Sequence, residues 1–162
     1  TFINCIFINA DLSDITFSEC AFYDCNFSNT KIENTSLKDV QFKTCKLLGL
    51  NFNDCNKFLL SVYFEECILN LTSFYKLKLK GTQFKNCNLR ETDFTETDLT
   101  NAIFDNCDMS RATFIHTILY KTDFFTAYNY SIDPEINRIK KAKFSREGVI
   151  GLLDKYDIEI SL

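Results

Sequence analysis

The sequence predicts an all-β solenoid, a chain that winds into stacked coils of twenty residues around an apolar core. Three observations support this fold class. Every fifth residue is apolar over most of the 162-residue chain, a second position two residues earlier is small or apolar, and phenylalanines recur at steps of twenty. A period of five fits neither an α-helix nor a β-strand, so the chain must turn within each unit.

The apolar centres form two series with one shift of phase between them. Because the other three positions of each unit carry most of the polar residues, each unit should bury two side chains and expose three. Four units make one coil, and coils stack at about 4.8 Å, the spacing of paired strands. The first series is Phe2, Phe7, Leu12, Phe17, Phe22, Phe27, Ile32, Leu37, Phe42, Leu47 and Phe52, and the second is Phe64, Leu69, Phe74, Leu79, Phe84, Leu89, Phe94, Leu99, Phe104, Met109, Phe114, Leu119 and Phe124.

Individual units carry a recognisable motif. Ala10-Asp11-Leu12-Ser13-Asp14, Thr92-Asp93-Phe94-Thr95-Glu96 and Ala102-Ile103-Phe104-Asp105-Asn106 resemble the A(D/N)LXX motif of pentapeptide-repeat proteins. The resemblance covers roughly residues 1–127. It implies a right-handed quadrilateral β-helix, here of about seven coils.

Residues 1–144 are expected to form this β-helix. The spacing from Phe52 to Phe64 is twelve rather than ten, which predicts a bulge near residues 57–61. A two-residue insertion at an exposed corner is the simpler interpretation, and a binding protrusion is the alternative. The motif then decays, so residues 125–144 are expected to form an irregular last coil.

The C-terminal residues 145–162 should close the solenoid, because an open end exposes apolar side chains and unpaired backbone. Ser145 is a candidate N-cap for a short α-helix over about 146–156, and the last residues alternate like a short strand. The tail resembles the C-terminal module through which Qnr and MfpA proteins form homodimers, whereas a simple monomeric cap is the alternative. The candidate cap or dimer surface is Val149, Leu152, Leu153, Tyr156, Ile158 and Ile160.

Composition limits the partners. The net charge is −4, which argues against direct binding of nucleic acid, because neutralising phosphates needs a basic surface. The sequence has no apolar run of membrane-spanning length and no signal peptide in its first 30 residues, so we expect a cytoplasmic chain without a membrane partner. It begins at Thr1, already in phase with the repeat, which is compatible with a segment upstream.

Catalysis and cofactors are not expected. The eight cysteines all occupy the inward position two residues before a centre, where a free thiol is a small buried apolar group. Without a C-x-x-C pair, neither a metal site nor a disulfide is favoured over this interpretation. His116, the only histidine, is predicted to point outward with no nucleophile or carboxylate beside it. We therefore expect no enzyme activity, no cofactor and no metal.

Surface charge is the remaining functional signal. Acids without bases occupy residues 1–24 and 91–108, with a basic stretch between them. The family resemblance implies DNA mimicry, in which an acidic rod binds DNA gyrase or topoisomerase IV and relieves quinolone poisoning. The alternative is a structural or protein-interaction scaffold for an unrelated protein, with charges that only maintain solubility. The candidate acidic surface is Asp11, Asp14, Glu19, Glu33, Asp93, Glu96, Asp98, Asp105 and Asp108.

Overall fold

A computed structural model describes residues 1–160 and confirms the solenoid, with parallel strands stacked in about seven coils. The strands are short because the chain turns in every unit. They are β1 (Phe2–Ile3), β2 (Thr16–Ser18), β3 (Ala21–Tyr23), β4 (Ser36–Lys38), β5 (Val40–Lys43), β6 (Val62–Glu65), β7 (Gln83–Lys85), β8 (Ile103–Asp105), β9 (Asp123–Phe124) and β10 (Lys143–Phe144). Three 3-10 helices cover Phe52–Asp54, Gly148–Leu152 and Asp154–Tyr156.

The largest sheet runs the length of the solenoid in the order β1-β3-β5-β6-β7-β8-β9-β10, and β2 pairs with β4 in a second sheet. The register stacks equivalent residues, with Phe22 beside Phe42 and Phe64 beside Phe84. The residue two after a centre turns the corner at positive φ, as Asn9 does at 56°. Asparagine and aspartate, which tolerate this left-handed conformation, occupy about half of the corners, and the others include glutamate, lysine and leucine, as at Glu96 with a φ of 55°.

The core consists of the predicted inward pair of each unit. Phenylalanine rings stack from coil to coil, with ring centroids 5.2 Å apart for Phe64 and Phe84 and 4.9 Å apart for Phe84 and Phe104. Several side chains at the second inward position form a hydrogen bond with the backbone of the preceding coil. The Thr97 hydroxyl, for example, donates to the Phe74 carbonyl at 2.8 Å. The cysteines act in the same way, since the Cys107 thiol donates to the Phe84 carbonyl at 3.4 Å. In the first coil these inward side chains are only partly buried, and Ile15 is exposed.

The phase shift is a local insertion. Ser36 is bridged to Asn56, twenty residues later, whereas Val40 pairs with Val62, twenty-two residues later. The two extra residues therefore lie between Asn56 and Val62, within the predicted bulge. Lys57 takes the centre position but is exposed, and Leu60 packs against the core nearby.

The last coil keeps the twenty-residue step at its strand, since β10 pairs with β9. This coil also buries two polar side chains, those of Tyr130 and Asn137, whose identities the repeat does not predict. Tyr130 is buried and its ring lies 5.5 Å from that of Phe124. Asn137 is also buried, where its amide oxygen accepts from the Thr117 N–H at 2.8 Å and its amide nitrogen donates to the Phe114 carbonyl at 2.9 Å.

The predicted α-helix over 146–156 is not present; two 3-10 helices occupy this segment. The Ser145 hydroxyl oxygen accepts from the Gly148 N–H at 2.9 Å, but the N-cap residue of the first of these helices is Glu147 rather than the predicted Ser145. The Gly151 carbonyl accepts from the Ile132 N–H at 2.9 Å, so it is used by the last coil rather than by an α-helical turn. Gly151 also lies so close to Tyr130 that a Cβ atom there would sit 2.1 Å from the Tyr130 carbonyl oxygen. Docking onto Tyr130 therefore explains the departure from an α-helix.

The predicted final strand is also not present in the described residues. Asp157 has a φ of 48°, a left-handed turn that redirects the chain after the second of these helices. Ile158 and Ile160 are exposed and pair with no strand in the described range, and the alternation predicted through Leu162 extends outside the described residues.

Candidate interaction surfaces

The four units of each coil define four faces, numbered here in chain order. Each corner residue is counted with the face that it follows. The first face contains the units centred on Phe2, Phe22, Phe42, Phe64, Phe84, Phe104, Phe124 and Phe144; the second, Phe7, Phe27, Leu47, Leu69, Leu89 and Met109; the third, Leu12, Ile32, Phe52, Phe74, Phe94 and Phe114; the fourth, Phe17, Leu37, Lys57, Leu79, Leu99, Leu119 and Ile139.

The nine candidate acids do not share one face. Asp105 lies on the first face, Asp108 on the second, and Glu19 and Asp98 on the fourth. Neighbouring units of the sequence belong to different faces, so an acidic run in sequence is distributed around the rod. The remaining five share the third face, and they are Asp11, Asp14, Glu33, Asp93 and Glu96.

The third face is nevertheless predominantly acidic. Asp54, which the runs of acids in the sequence did not reveal, joins these five, and the lysines of this face are Lys31 and Lys76. The step of twenty residues, or twenty-two across the insertion, is the signal that could have identified Asp54. In the last coil Asp133 and Glu135 continue the acidic character, although Lys155 pairs with both, at 2.8 and 2.6 Å.

Part of this negative charge is neutralised within the face. Lys31 lies 3.4 Å from the Asp11 carboxylate and 3.5 Å from that of Glu33, and Lys76 lies 3.5 Å from that of Glu96. Hydrogen bonds from Ser13, and then the charge of Lys31, hold the pKa of Asp11 below its usual value. Because these pairs are exposed, they contribute little to the stability of the fold. Their main effect is to make the third face less negative.

The fourth face has the opposite charge. Its acids are Glu19, Asp39 and Asp98, and its cations are more numerous. They are Lys38, Lys57, Lys78, Lys80, Lys121, Arg138, Lys140 and Lys141. The rod therefore presents an acidic face next to a basic one, a sorting that the linear sequence does not display.

The cysteines contribute packing and backbone hydrogen bonds. All eight are free thiols, and all but Cys5 and Cys20 are buried. Burial raises the pKa of Cys55 to about 12, which keeps this thiol protonated and unreactive near neutral pH. Among residues 1–160, no three histidine, cysteine or acidic side chains are grouped so that they could hold a metal ion. His116 is exposed at a corner with a φ of 52°.

The candidate cap surface divides into two parts. Leu152 packs against the core, and Leu153 is partly buried. Val149, Tyr156, Ile158 and Ile160 are exposed, as is Ile150, which the helical stripe did not include. In the described part of the chain no helix has the length and apolar character needed to cross a membrane.

These features define a class of protein, a β-solenoid of five-residue units with two inward side chains each. A model of the pentapeptide repeat region matches residues 1–57 and 57–127, and the chain belongs to this family. No curated protein matches the sequence.

Two solved structures of QnrB1, described as a plasmid-mediated fluoroquinolone resistance protein, are similar in fold. Both are of trypsin-treated variants with a single substitution. One aligns with a TM-score of 0.62 at 19% identity, over 99% of this chain and 80% of that chain. The other aligns with a TM-score of 0.53 at 20% identity, over 99% of this chain and 87% of that chain. At these identities the likeness concerns the fold.

Proposed function

We propose that this chain is a non-enzymatic, protein-binding rod whose acidic third face docks on a cationic surface of a type II topoisomerase, DNA gyrase or topoisomerase IV. In that role it would compete with DNA and protect the enzyme from quinolones. The single observation that carries the proposal is the concentration of acids on one face of a stiff rod. The fold likeness to QnrB1 over nearly the whole chain supports the choice of partner.

The charge density limits how far the mimicry extends. Seven coils at about 4.8 Å each span about 34 Å, and B-DNA of that length carries about twenty phosphate charges. The third face has six acids, half of them paired with Lys31 or Lys76. A local contact with the partner is therefore favoured over a replica of a whole DNA segment.

A supercoiling assay tests this proposal. Purified chain should inhibit supercoiling by gyrase or decatenation by topoisomerase IV, or restore that activity in the presence of ciprofloxacin. The double variant Glu33→Lys/Glu96→Lys should weaken this effect about tenfold or more, because it places like charges against the cationic partner. The matched control is Glu66→Lys/Glu147→Lys, which changes net charge equally away from the third face. No effect of the unmodified chain on either enzyme would reject a topoisomerase partner.

The second candidate is a scaffold for a different protein partner, and the internal pairing of the third-face acids favours it. A pull-down from the native cytosol distinguishes the two. Recovery of a partner other than a topoisomerase, lost with Glu33→Lys/Glu96→Lys and kept with the control, would establish the scaffold role. Either function uses the rod as a binding surface and requires no catalysis.

Homodimerisation through the C-terminal segment is part of the same proposal. Ile150, Ile158 and Ile160 expose 44%, 55% and 47% of their surface and line one shallow pocket with Leu153, which forms an apolar patch that a second copy would cover. Sedimentation equilibrium at micromolar concentration should give the mass of two chains. Ile150→Asp should shift it to one chain, whereas Ile103→Asp, an exposed apolar residue in the central coils, should not.

A further inference from the structure

The fourth face carries a run of cations that the proposed function does not use. We call it the cationic strip, and it consists of Lys38, Lys57, Lys78, Lys80, Lys121, Arg138, Lys140 and Lys141. Bridges align its members across coils, since Lys78 pairs with Asp98, Asp98 with Ile118, and Ile118 with Arg138. The strip therefore follows one side of the rod from the second coil to the last.

The positive charge of the strip is largely unneutralised. Among residues 1–160, only Lys80 of its eight members forms an ion pair, with Asp98 at 3.2 Å. Lys121, Arg138, Lys140 and Lys141 lie on two adjacent coils, and all four are exposed. Like charges at this spacing repel one another, so a polyanionic partner would relieve that repulsion.

Apolar and aromatic side chains lie among these cations. Phe58, at the insertion, is 69% exposed, and the Lys38 ammonium lies 5.6 Å from the centre of its ring. Beside it, Leu59 is 63% exposed and turns the corner at a φ of 57°. Tyr120 lies on the same face, nearer the C-terminus. It is partly buried, and the Lys121 ammonium lies 5.3 Å from the centre of its ring.

We propose that the cationic strip is a docking surface for an acidic segment of a protein partner, with Phe58 and Leu59 as its apolar anchor. Carboxylates would pair with the lysines and Arg138, while an apolar side chain of the partner would cover Phe58. Aromatic and arginine side chains at the centre of an interface typically contribute most to affinity, and surrounding charges accelerate association. This surface is distinct from the third face and does not depend on the topoisomerase proposal.

Two other occupants fit less well. Nucleic acid would bring a longer run of phosphates beside the acidic third face, on a chain whose net charge is −4. A second copy would have to present its third face, where Lys76 stands in the middle and Asp11, Glu33 and Glu96 are already paired. A short acidic protein segment would contact the strip alone, where Asp98 is already paired with Lys80 at 3.2 Å, and its apolar side chains would cover Phe58.

The test uses fluorescence anisotropy of the full chain with three labelled probes of similar charge: a glutamate-rich peptide containing leucines, a leucine-free glutamate peptide, and a single-stranded oligonucleotide. The leucine-containing peptide should bind most tightly. Lys140→Glu/Lys141→Glu should weaken both peptides about tenfold or more, whereas Phe58→Ser should weaken only the peptide with leucines. The matched control is Lys46→Glu/Arg90→Glu, which makes the same change in net charge on the second face.

Several results would overturn the proposal. Tighter binding of the oligonucleotide than of either peptide would assign the strip to nucleic acid. An equal loss of affinity in the second-face control would reduce the effect to net charge alone. Self-association that disappears with Lys140→Glu/Lys141→Glu would assign the strip to a second copy. Far-UV circular dichroism of each variant establishes that the fold is retained, since all the substituted side chains lie outside the core.

Discussion

The central coils and the C-terminal segment are held together in different ways. Between β6 and β9, every coil repeats the same contacts, with Phe64, Phe84, Phe104 and Phe124 stacked in one column. In residues 128–156 Phe144 still stacks on Phe124, but the segment after Ser145 depends on contacts that occur once, around Tyr130 and Gly151. The repeated contacts thus specify the central coils many times over, whereas the contacts of residues 145–156 with Tyr130 have no equivalent in the central coils.

The largest effect should come from a charge placed in the stack. Phe84 is fully buried between Phe64 and Phe104. Truncating a buried phenylalanine costs about 3–5 kcal/mol, and Phe84→Asp adds an unpaired buried charge. We expect loss of the β-type far-UV spectrum at 25 °C. Gln83→Asp, at the exposed neighbour, is the control, and equal melting temperatures for the two variants would contradict the inward placement of Phe84.

A smaller and more local effect is expected at the C-terminal segment. In Gly151→Ala the new Cβ would meet the Tyr130 carbonyl oxygen at 2.1 Å. Relieving such overpacking costs about 1–3 kcal/mol, so residues 145–156 should detach and become sensitive to limited proteolysis while the coils keep their spectrum.

The central coils provide a control for this glycine. Gly81 is a corner residue with a φ of 71°, and a Cβ atom added to it would have no neighbouring atom within 4 Å. Asn101 turns the next corner of the same column at a φ of 58°. Gly81→Asn should therefore be nearly neutral. Equal protease sensitivity of both glycine variants would contradict the predicted clash between residue 151 and Tyr130.

This contrast explains how much of the structure the sequence predicted. The five-residue period sufficed for the solenoid, its inward pairs and the site of the insertion, because each of these follows from a repeated local rule. The 3-10 geometry after Ser145 depends on where Tyr130 and the Ile132 N–H lie, and no period of the sequence contains that information. The stripe of Val149, Leu152, Leu153 and Tyr156 is equally compatible with an α-helix.

The candidate surfaces show the same limit. Reading acids along the chain grouped residues such as Asp105 and Asp108, which the fold places on different faces. Reading them at steps of twenty brings Asp54 beside the third-face acids. The sorting of charge into an acidic and a basic face was thus present in the sequence, but only in the period of the coil.

A gain in stability is expected from Tyr130→Phe. The Tyr130 hydroxyl is buried without a hydrogen-bond partner among the described residues, and burial raises the pKa of Tyr130 to about 12. Removing an unsatisfied buried polar group should stabilise the fold by about 1 kcal/mol. The urea midpoint should rise, and a fall would indicate that the hydroxyl has a partner.

The same substitution changes the response to alkali. A folded-state pKa above the unfolded value of about 10 keeps full stability below pH 10 and loses it as the pH rises toward 12. Tyr130→Phe should remove this part of the alkaline loss. Tyr128→Phe, at an exposed tyrosine of the same segment, is the control for removing a hydroxyl group that is not buried.

The smallest effect should come from Lys155→Met, which removes the ion pairs with Asp133 and Glu135. Hydrogen bonds from Lys155 hold the pKa of both carboxyls below their usual values, with Tyr156 also donating to Glu135. Lowered folded-state pKa values stabilise the fold above the unfolded pKa values of about 4, and this stabilisation is lost as the pH falls through the folded-state pKa values. The melting temperature of the variant should therefore lie slightly below that of the unmodified chain at pH 7, and the difference should narrow as the pH falls below about 4. Because the Glu135 side chain is exposed whereas those of Lys155 and Asp133 are partly buried, 0.5 M salt should narrow the difference at pH 7 only in part. A difference that does not narrow as the pH falls below about 4 would mean that the Lys155 stem stabilises the segment by packing rather than by charge.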